Sequence, residues 1–342
     1  MLYSHTWESA KKPLKDISME SAFVGSAFGH AGEFLQGVIG HEDGLHRILI
    51  SIPAPELQSH ATFRISADGG LAISPGWKQK SLKAFQLAWL QFSSTAPRGT
   101  LGIQSNIPVS RGMGSSTADC VAAIRAAASF WNCELPQEQI AMLAHRAECF
   151  SDATMVEDRL VVFEHCEGRI HEYLEGAIPN LQLLVVEPKV GRRVIDTDLL
   201  VRPKYSEEEI RQFSECLTRI RHAVATNDLR EIASIARISA RINQKYHPKP
   251  KAAEIERIAA ESGALGVAIA HSGDIQILLY HPASLDEKAL RKVGSQLDEI
   301  DMRCWRRLTT VIKPKAVLPA FNTNGQSAFE PRTETRKIAV PS

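Results

Sequence analysis

The sequence predicts an α+β fold with a seam near residues 165–200, on three observations. Short apolar segments at strand spacing dominate from Ser21 to about Ile73. A loop rich in glycine and serine at 108–118, "PVSRGMGSSTA", runs into an alanine-rich stretch that reads as helix. Helices and strands then come in blocks, without the strict βαβ alternation of a parallel sheet.

Element by element, residues 1–20 are polar and mixed in charge and read as a flexible lead-in. "HRILISI" and "ATFRISA" read as strands separated by turn residues. "KSLKAFQLAWLQF" places Leu82, Phe85, Leu87, Ala88 and Leu90 at helical spacing, and "LGIQSNIPV" is a strand leading into the loop. Residues 113–131 are helix, because alanine dominates and no Gly or Pro interrupts after Gly114. "PQEQIAMLAHRAECF" is a second helix, with Pro136 at its start where a missing N–H costs little. "RLVVFEH" and "LQLLVVEP" read as buried strands. Ile210, Phe213, Leu217, Ile220 and Val224 form a helical stripe, and Asp228 is placed to cap the next helix. "GALGVAIAHSGDIQILLYHP" reads strand, tight turn, strand, and from about Lys313 the composition becomes that of a flexible tail.

Lys+Arg is 40 and Asp+Glu is 39, so net charge gives no reason to expect nucleic acid or an anionic membrane as a partner. No apolar run reaches the roughly 20 residues that span a bilayer, and the N-terminus lacks a secretory h-region. The six cysteines are scattered without a CxxC pair, which argues against a thiolate zinc site and for reduced thiols in the cytoplasm.

The loop is the most informative segment. The first N–H groups of a helix lack intrahelical partners, and the helix dipole adds positive charge there, so anions bind at such an entrance. Gly112 and Gly114 would let the backbone approach phosphate oxygens, Ser115, Ser116 and Thr117 add hydroxyls, Pro108 ends the preceding strand and Arg111 adds charge. A plain serine-capped helix start is the alternative. Neither GxxxxGK[ST] nor GxGxxG is present, which excludes a P-loop and gives no support to a Rossmann dinucleotide site.

"PVSRGMGSSTAD" resembles the ATP-phosphate loop of the GHMP kinase superfamily, Pro-x-x-x-Gly-Leu-Gly-Ser-Ser-Ala, with Met113 for Leu and Thr117 for Ala. "AFGHAGEFLQGVIG" is similar to the first motif of one branch, the bacterial L-threonine kinases of cobamide (vitamin B12, cobalamin) synthesis. Gly32, Glu33, Gln36 and Gly37 match, while Ala31 stands where that branch often has Cys and His30 where it often has Ser or Thr. "SARINQKYHPKP" and "VAIAHSGD" resemble two later segments of the same branch.

The resemblance implies transfer of the ATP γ-phosphoryl group to a small-molecule hydroxyl, with Mg²⁺ as the second cofactor. The loop residues Pro108, Arg111, Gly112, Met113, Gly114, Ser115, Ser116 and Thr117 would then cradle ATP. Mg²⁺, which prefers oxygen, needs one hydroxyl and one carboxylate beside the phosphates, and Ser116 with Glu148 are the candidates. Asp152 in "AECFSDATM" is the candidate catalytic carboxylate, and a turn aspartate is the other reading. Cys149 and Phe150 place Glu148 one residue farther from it than the branch pattern does. For the acceptor, His30, Glu33, Gln36, Asn243, Gln244, His271 and Ser272 are the candidate binding residues, with Glu33 facing an ammonium. The basic segment Lys189–Asp198 would reach phosphate or lie solvated.

The fold so implied is a two-lobed GHMP kinase fold. Its N-terminal lobe, residues 21–175, is like ribosomal protein S5 domain 2, and its C-terminal lobe, residues 176–312, is ferredoxin-like. The lead-in 1–20 and tail 313–342 flank them. The expected activity is phosphorylation of L-threonine to O-phospho-L-threonine. L-serine, another hydroxylated amine, or a silent sensor of ATP or amino acid are the alternatives.

Overall fold

A computed structural model describes residues 21–67, 69–190 and 202–311. The expected lead-in and tail, and most of the basic segment after Val190, lie outside the described residues.

The chain starts with a long antiparallel hairpin, β1 (Ala22–His41) and β2 (Gly44–Ile65). "HRILISI" and "ATFRISA" are thus two ends of one strand, which crosses Pro53 and Pro55 where the pairing with β1 slips register. The slips cluster between Phe28 and Leu35. A bulged strand bends and re-aims its side chains, and this segment carries His30 and Glu33.

β3 (Leu71–Ser74) and α1 (Gln79–Trp89) follow, then β4 (Gly99–Ser105), which pairs with β2 and, in parallel, with β3. The loop enters α2 (Ser115–Phe130), and Pro136 opens α3 (Gln137–Glu148). β5 (Val161–Glu164) pairs with β2 and with β6 (Arg169–Tyr173).

After β7 (Gln182–Pro188) come three helices, the first two with side-chain caps at their starts. Ser206 and Glu209 form a reciprocal capping box at α4 (Glu207–Ala225). Asp228 caps α5 (Leu229–Asn243) through the N–H groups of Arg230 and Glu231, as its sequence position predicts. α6 (Ala252–Glu261) precedes β8 (Gly266–Ile269) and β9 (Gln276–Tyr280), and α7 (Glu287–Asp298) leads to β10 (Met302–Thr309).

The sheet order is β10-β7-β9-β8-β1-β2-β4-β3. Its last four strands in the chain stand in the order 4-1-3-2, the ferredoxin-like arrangement. They join β1 through the pair Glu33–Ile269. Alternation along β7 serves two cores: Leu183 and Val185 face the large cluster, while Leu184 and Val186 pack with Ile255 and Ile258 of α6 and Val293 and Leu297 of α7. At Gly37 the ring of Phe213 on α4 lies where a Cβ would stand, 2.5 Å from its nearest atom. That glycine lets the helix lie directly on β1. Among the described residues no helix is long and apolar enough to cross a membrane.

Candidate active site

A cavity of about 690 Å³ opens where the loop, α1, the end of α3 and the β8–β9 turn meet. All eight loop residues expected to cradle ATP line it, together with Glu148, Asp152, His30, His271 and Ser272.

The loop has positive φ at Ser110 (59°), Gly112 (69°) and Gly114 (71°). Such alternation is how consecutive N–H groups come to form an anion-binding concavity. The first α-helical bond of α2 is donated by Ala118 to the Gly114 carbonyl, 2.8 Å. The N–H groups of Ser115, Ser116 and Thr117 are therefore left for an outside acceptor. The reason for the glycines differs from the expected one. A Cβ on Gly112 would lie 1.9 Å from the Ser272 carbonyl oxygen, and one on Gly114 would lie 2.6 Å from the His30 ring. Protein fills the space beside both glycines, and that contact fastens the loop to β1 and to the β8–β9 turn. Arg111 likewise turns to the buried Glu187 on β7, which also holds Arg303, so its charge braces the loop.

Two carboxylates converge on the first turn of α2. Thr117 donates its hydroxyl to Glu148 Oε1 at 2.5 Å, and the same hydroxyl accepts the Asp152 N–H at 3.2 Å. Cys149, left-handed at φ 69°, ends α3 and reverses the chain so that both acids reach Thr117. Glu148 is 3% exposed. Burial pushes its carboxyl up to about 8, against the lowering effect of the Ser116 and Thr117 hydroxyls. A buried carboxylate beside an exposed serine hydroxyl at a helix N-terminus suits a hard divalent cation with phosphate. The donor set fits Mg²⁺ and a nucleotide.

Asp152, its side chain 25% exposed, faces His30 Nε2 at 3.3 Å, and Glu33 lies behind His30 at 3.4 Å from Nδ1. Burial pulls the His30 imidazolium down, but the two carboxylates outweigh it and hold the ring at about 9. The Gly32 N–H, 3.3 Å from Nδ1, suits the neutral ring instead, and two carboxylates prevail over one long contact. Burial also raises Asp152, yet the His30 charge holds that carboxyl below its usual range. Glu33 is pushed up to about 7 by its own burial. His30, Glu33 and Asp152 also present three donor atoms close enough for a metal. The imidazolium already supplies the positive charge there.

The remaining candidate acceptor residues divide. His271 and Ser272 face the cavity. Gln36 stands behind His271, its Oε1 2.8 Å from His271 Nδ1, and burial holds His271 well below the usual histidine range. That neutral ring offers no positive charge. Asn243 donates to the carbonyls of Gln36 and Ser239, both at 2.9 Å, and accepts from Tyr205, tying α5 to β1. Gln244 accepts the Lys249 N–H at 2.7 Å and closes a turn. Glu33, Gln36, Asn243 and Gln244 are not part of the cavity wall.

Several wall residues carry no motif in the sequence. Lys78 and Lys80 stand beside the loop; Lys78 pairs with Asp119 of α2, whose other oxygen accepts from Ser59 at 2.5 Å. Arg47 and Arg202 bring positive charge to the far side, next to His165, which burial holds down at about 4. The lysines of "WKQK" flank the start of α1, Lys78 at its cap and Lys80 in its first turn. The arginines reach the cavity only through strand pairing and chain return.

Residues 80–156 match the GHMP kinases N terminal domain. The chain is 25% identical to an L-threonine kinase of Citrobacter freundii over 245 residues, 71% of this chain and 81% of that one. It is likewise 25% identical to an L-threonine kinase of Salmonella typhimurium over 245 residues, 71% of this chain and 78% of that one. Among solved structures, a homoserine kinase from Cytophaga hutchinsonii superposes with a TM-score of 0.62 at 16% identity, covering 86% of this chain and 96% of the other. With its phosphate-type helix entrance inside this shared fold, the chain resembles the GHMP kinases, and the L-threonine kinases among them, which makes it a phosphotransferase with an alcohol acceptor.

Proposed function

We propose that the protein transfers the γ-phosphoryl group of ATP to the side-chain hydroxyl of L-threonine, giving O-phospho-L-threonine and ADP, in the cytoplasm and in the service of cobamide synthesis. The observation that carries this reading is the meeting of Ser116, Thr117, Glu148 and Asp152 at the open N-terminus of α2. The two L-threonine kinases among its relatives support the acceptor. We further infer two lobes, 21–175 and 176–312. In support, strands from each range are contiguous in the sheet and meet at a single pair.

In this reading Ser116 and Glu148 hold Mg²⁺, which neutralises phosphate charge when bound. The α2 N–H groups and loop 108–117 orient the phosphates. The acceptor oxygen forms the new O–P bond as the bond to the ADP oxygen breaks. Asp152 accepts the hydrogen bond of the acceptor hydroxyl and aligns it. Because His30 holds Asp152 below the usual carboxylate range, the proton moves late, after the oxygen has begun to bond phosphorus. His271 and Ser272 contribute polar atoms toward the amino acid.

A second reading keeps the chemistry and changes the acceptor to L-serine or another hydroxylated amine. It is favoured by the position of Glu33, Gln36, Asn243 and Gln244 outside the cavity wall. The test is ADP release with Mg-ATP and each of L-threonine, L-serine, D-threonine, homoserine and ethanolamine, with the product identified by mass. Preferential phosphothreonine supports the first reading and preference for another alcohol the second. ATP binding without turnover of any acceptor overturns both.

A further inference from the structure

We propose a second metal site, for a borderline transition ion of the Zn²⁺ class, at the tip of the β1–β2 hairpin, with His41, Asp43 and His46 as its protein ligands. The sequence there is "HEDGLH", and the hairpin turn brings its first, third and sixth residues together. Asp43 Oδ1 lies 2.9 Å from His41 Nδ1 and 2.7 Å from His46 Nε2. All three donor atoms are within 4.8 Å of one another. A tetrahedral ion with bonds of about 2.1 Å would need them to part by only about half an ångström.

What separates this cluster from a chance surface contact is the support behind it. Glu164 on β5 is fully buried, and its Oε1 stands 3.1 Å from His46 Nδ1 and 2.7 Å from His171 Nδ1. Its Oε2 is held by Arg169 at 2.8 Å. A buried carboxylate that takes the far N–H of a histidine fixes the tautomer and aims the other nitrogen outward, the usual arrangement behind a metal-bound imidazole. The rings of His41, His46 and His171 form a nearly equilateral triangle, with centroids 5.7, 5.7 and 6.0 Å apart. His41 and Asp43 are exposed, so the ion has an entry path and room for water as a fourth ligand. Two imidazoles with one carboxylate suit Zn²⁺ and its neighbours, whereas Mg²⁺ prefers oxygen alone. The site is distinct from the kinase cavity but adjoins it: Arg47 and His165, the next residues after His46 and Glu164, line that cavity.

The test is titration of the untagged full-length protein with Zn²⁺ by calorimetry and with Co²⁺ by visible absorption, in excess Mg²⁺. The expected result is one equivalent bound per chain, lost in His41→Ala and in Asp43→Asn. Both changes lie on the exposed hairpin tip and leave the core untouched. Glu164→Gln should weaken binding by about 10–100-fold. Absence of a stoichiometric site in the wild type would overturn the proposal. So would full binding in the two tip variants, or thiolate-to-Co²⁺ absorption showing that cysteines hold the ion.

Discussion

Glu148→Gln should make the metal-free protein more stable while removing its activity. Glu148 is buried at the end of α3, and its carboxyl is pushed from 4.5 to about 8 on folding. The folded state therefore holds the proton more tightly than the unfolded chain does. As pH climbs past 4.5 the unfolded chain gains from ionisation and the folded state does not, so stability is lost progressively until about pH 8. By pH 7 that loss reaches about 3 kcal/mol, since each pH unit above the unfolded value costs about 1.4 kcal/mol. Glutamine keeps an oxygen for the Thr117 hydroxyl and has no proton to lose. The assay is urea unfolding of wild type and variant without divalent ions from about pH 4 to about pH 8, the window over which the two states differ in bound protons. The two should be close at the acid end and diverge at up to ~1.4 kcal/mol per pH unit, the variant being the more stable. Millimolar Mg²⁺ with nucleotide should narrow the gap by stabilising the wild type alone. A pH-independent difference, or a variant less stable than wild type at neutral pH, would refute the burial argument for this carboxyl.

Asp152→Asn should lower kcat by roughly 10²–10⁴ while nucleotide affinity, measured by calorimetry, stays within a few-fold. A fall below tenfold would reduce Asp152 to a turn residue. Gly112→Ala puts a Cβ 1.9 Å from the Ser272 carbonyl at φ 69°. It should destabilise the fold by about 1–3 kcal/mol in the same unfolding assay and weaken ATP binding; wild-type behaviour in both would show that the loop is not clamped there. Asn243→Ala leaves the Gln36 carbonyl and the Tyr205 hydroxyl short of partners. It should cost about 1–3 kcal/mol with the acceptor KM changed less than about twofold. A tenfold rise in KM at unchanged stability would instead make Asn243 a substrate ligand.

Much of this protein is local and was legible in its residues. The helix start at Asp228 depends on a side chain within three positions of the N–H groups it caps, and the one at Pro136 on a residue that has no N–H to satisfy. The loop at 108–118 announces an anion site because unpaired N–H groups at a helix start follow from helix geometry alone. Asp152 and Glu148 were within reach only through the resemblance to the L-threonine kinase branch, four residues apart at the end of α3 and just beyond it. Which side of a strand a residue faces is another matter. Glu33 and Gln36 sit in a motif that reads as substrate-binding, yet β1 slips register around them and pairs with β2 and β8, turning both toward the interior. Those partners come from residues 44–65 and 266–269, and no periodicity within β1 encodes the slip. The glycines of the loop were legible as glycines, but the Ser272 carbonyl that excludes a Cβ comes from a distant turn between β8 and β9. The hairpin histidines were silent for the same reason, since Glu164 and His171 meet them only when β5 and β6 close on β2. Composition and short spacing determined the kinds of chemistry this chain carries. Strand pairing over long separations decided which of those groups face the cavity, which brace it from behind, and which gather at the hairpin tip.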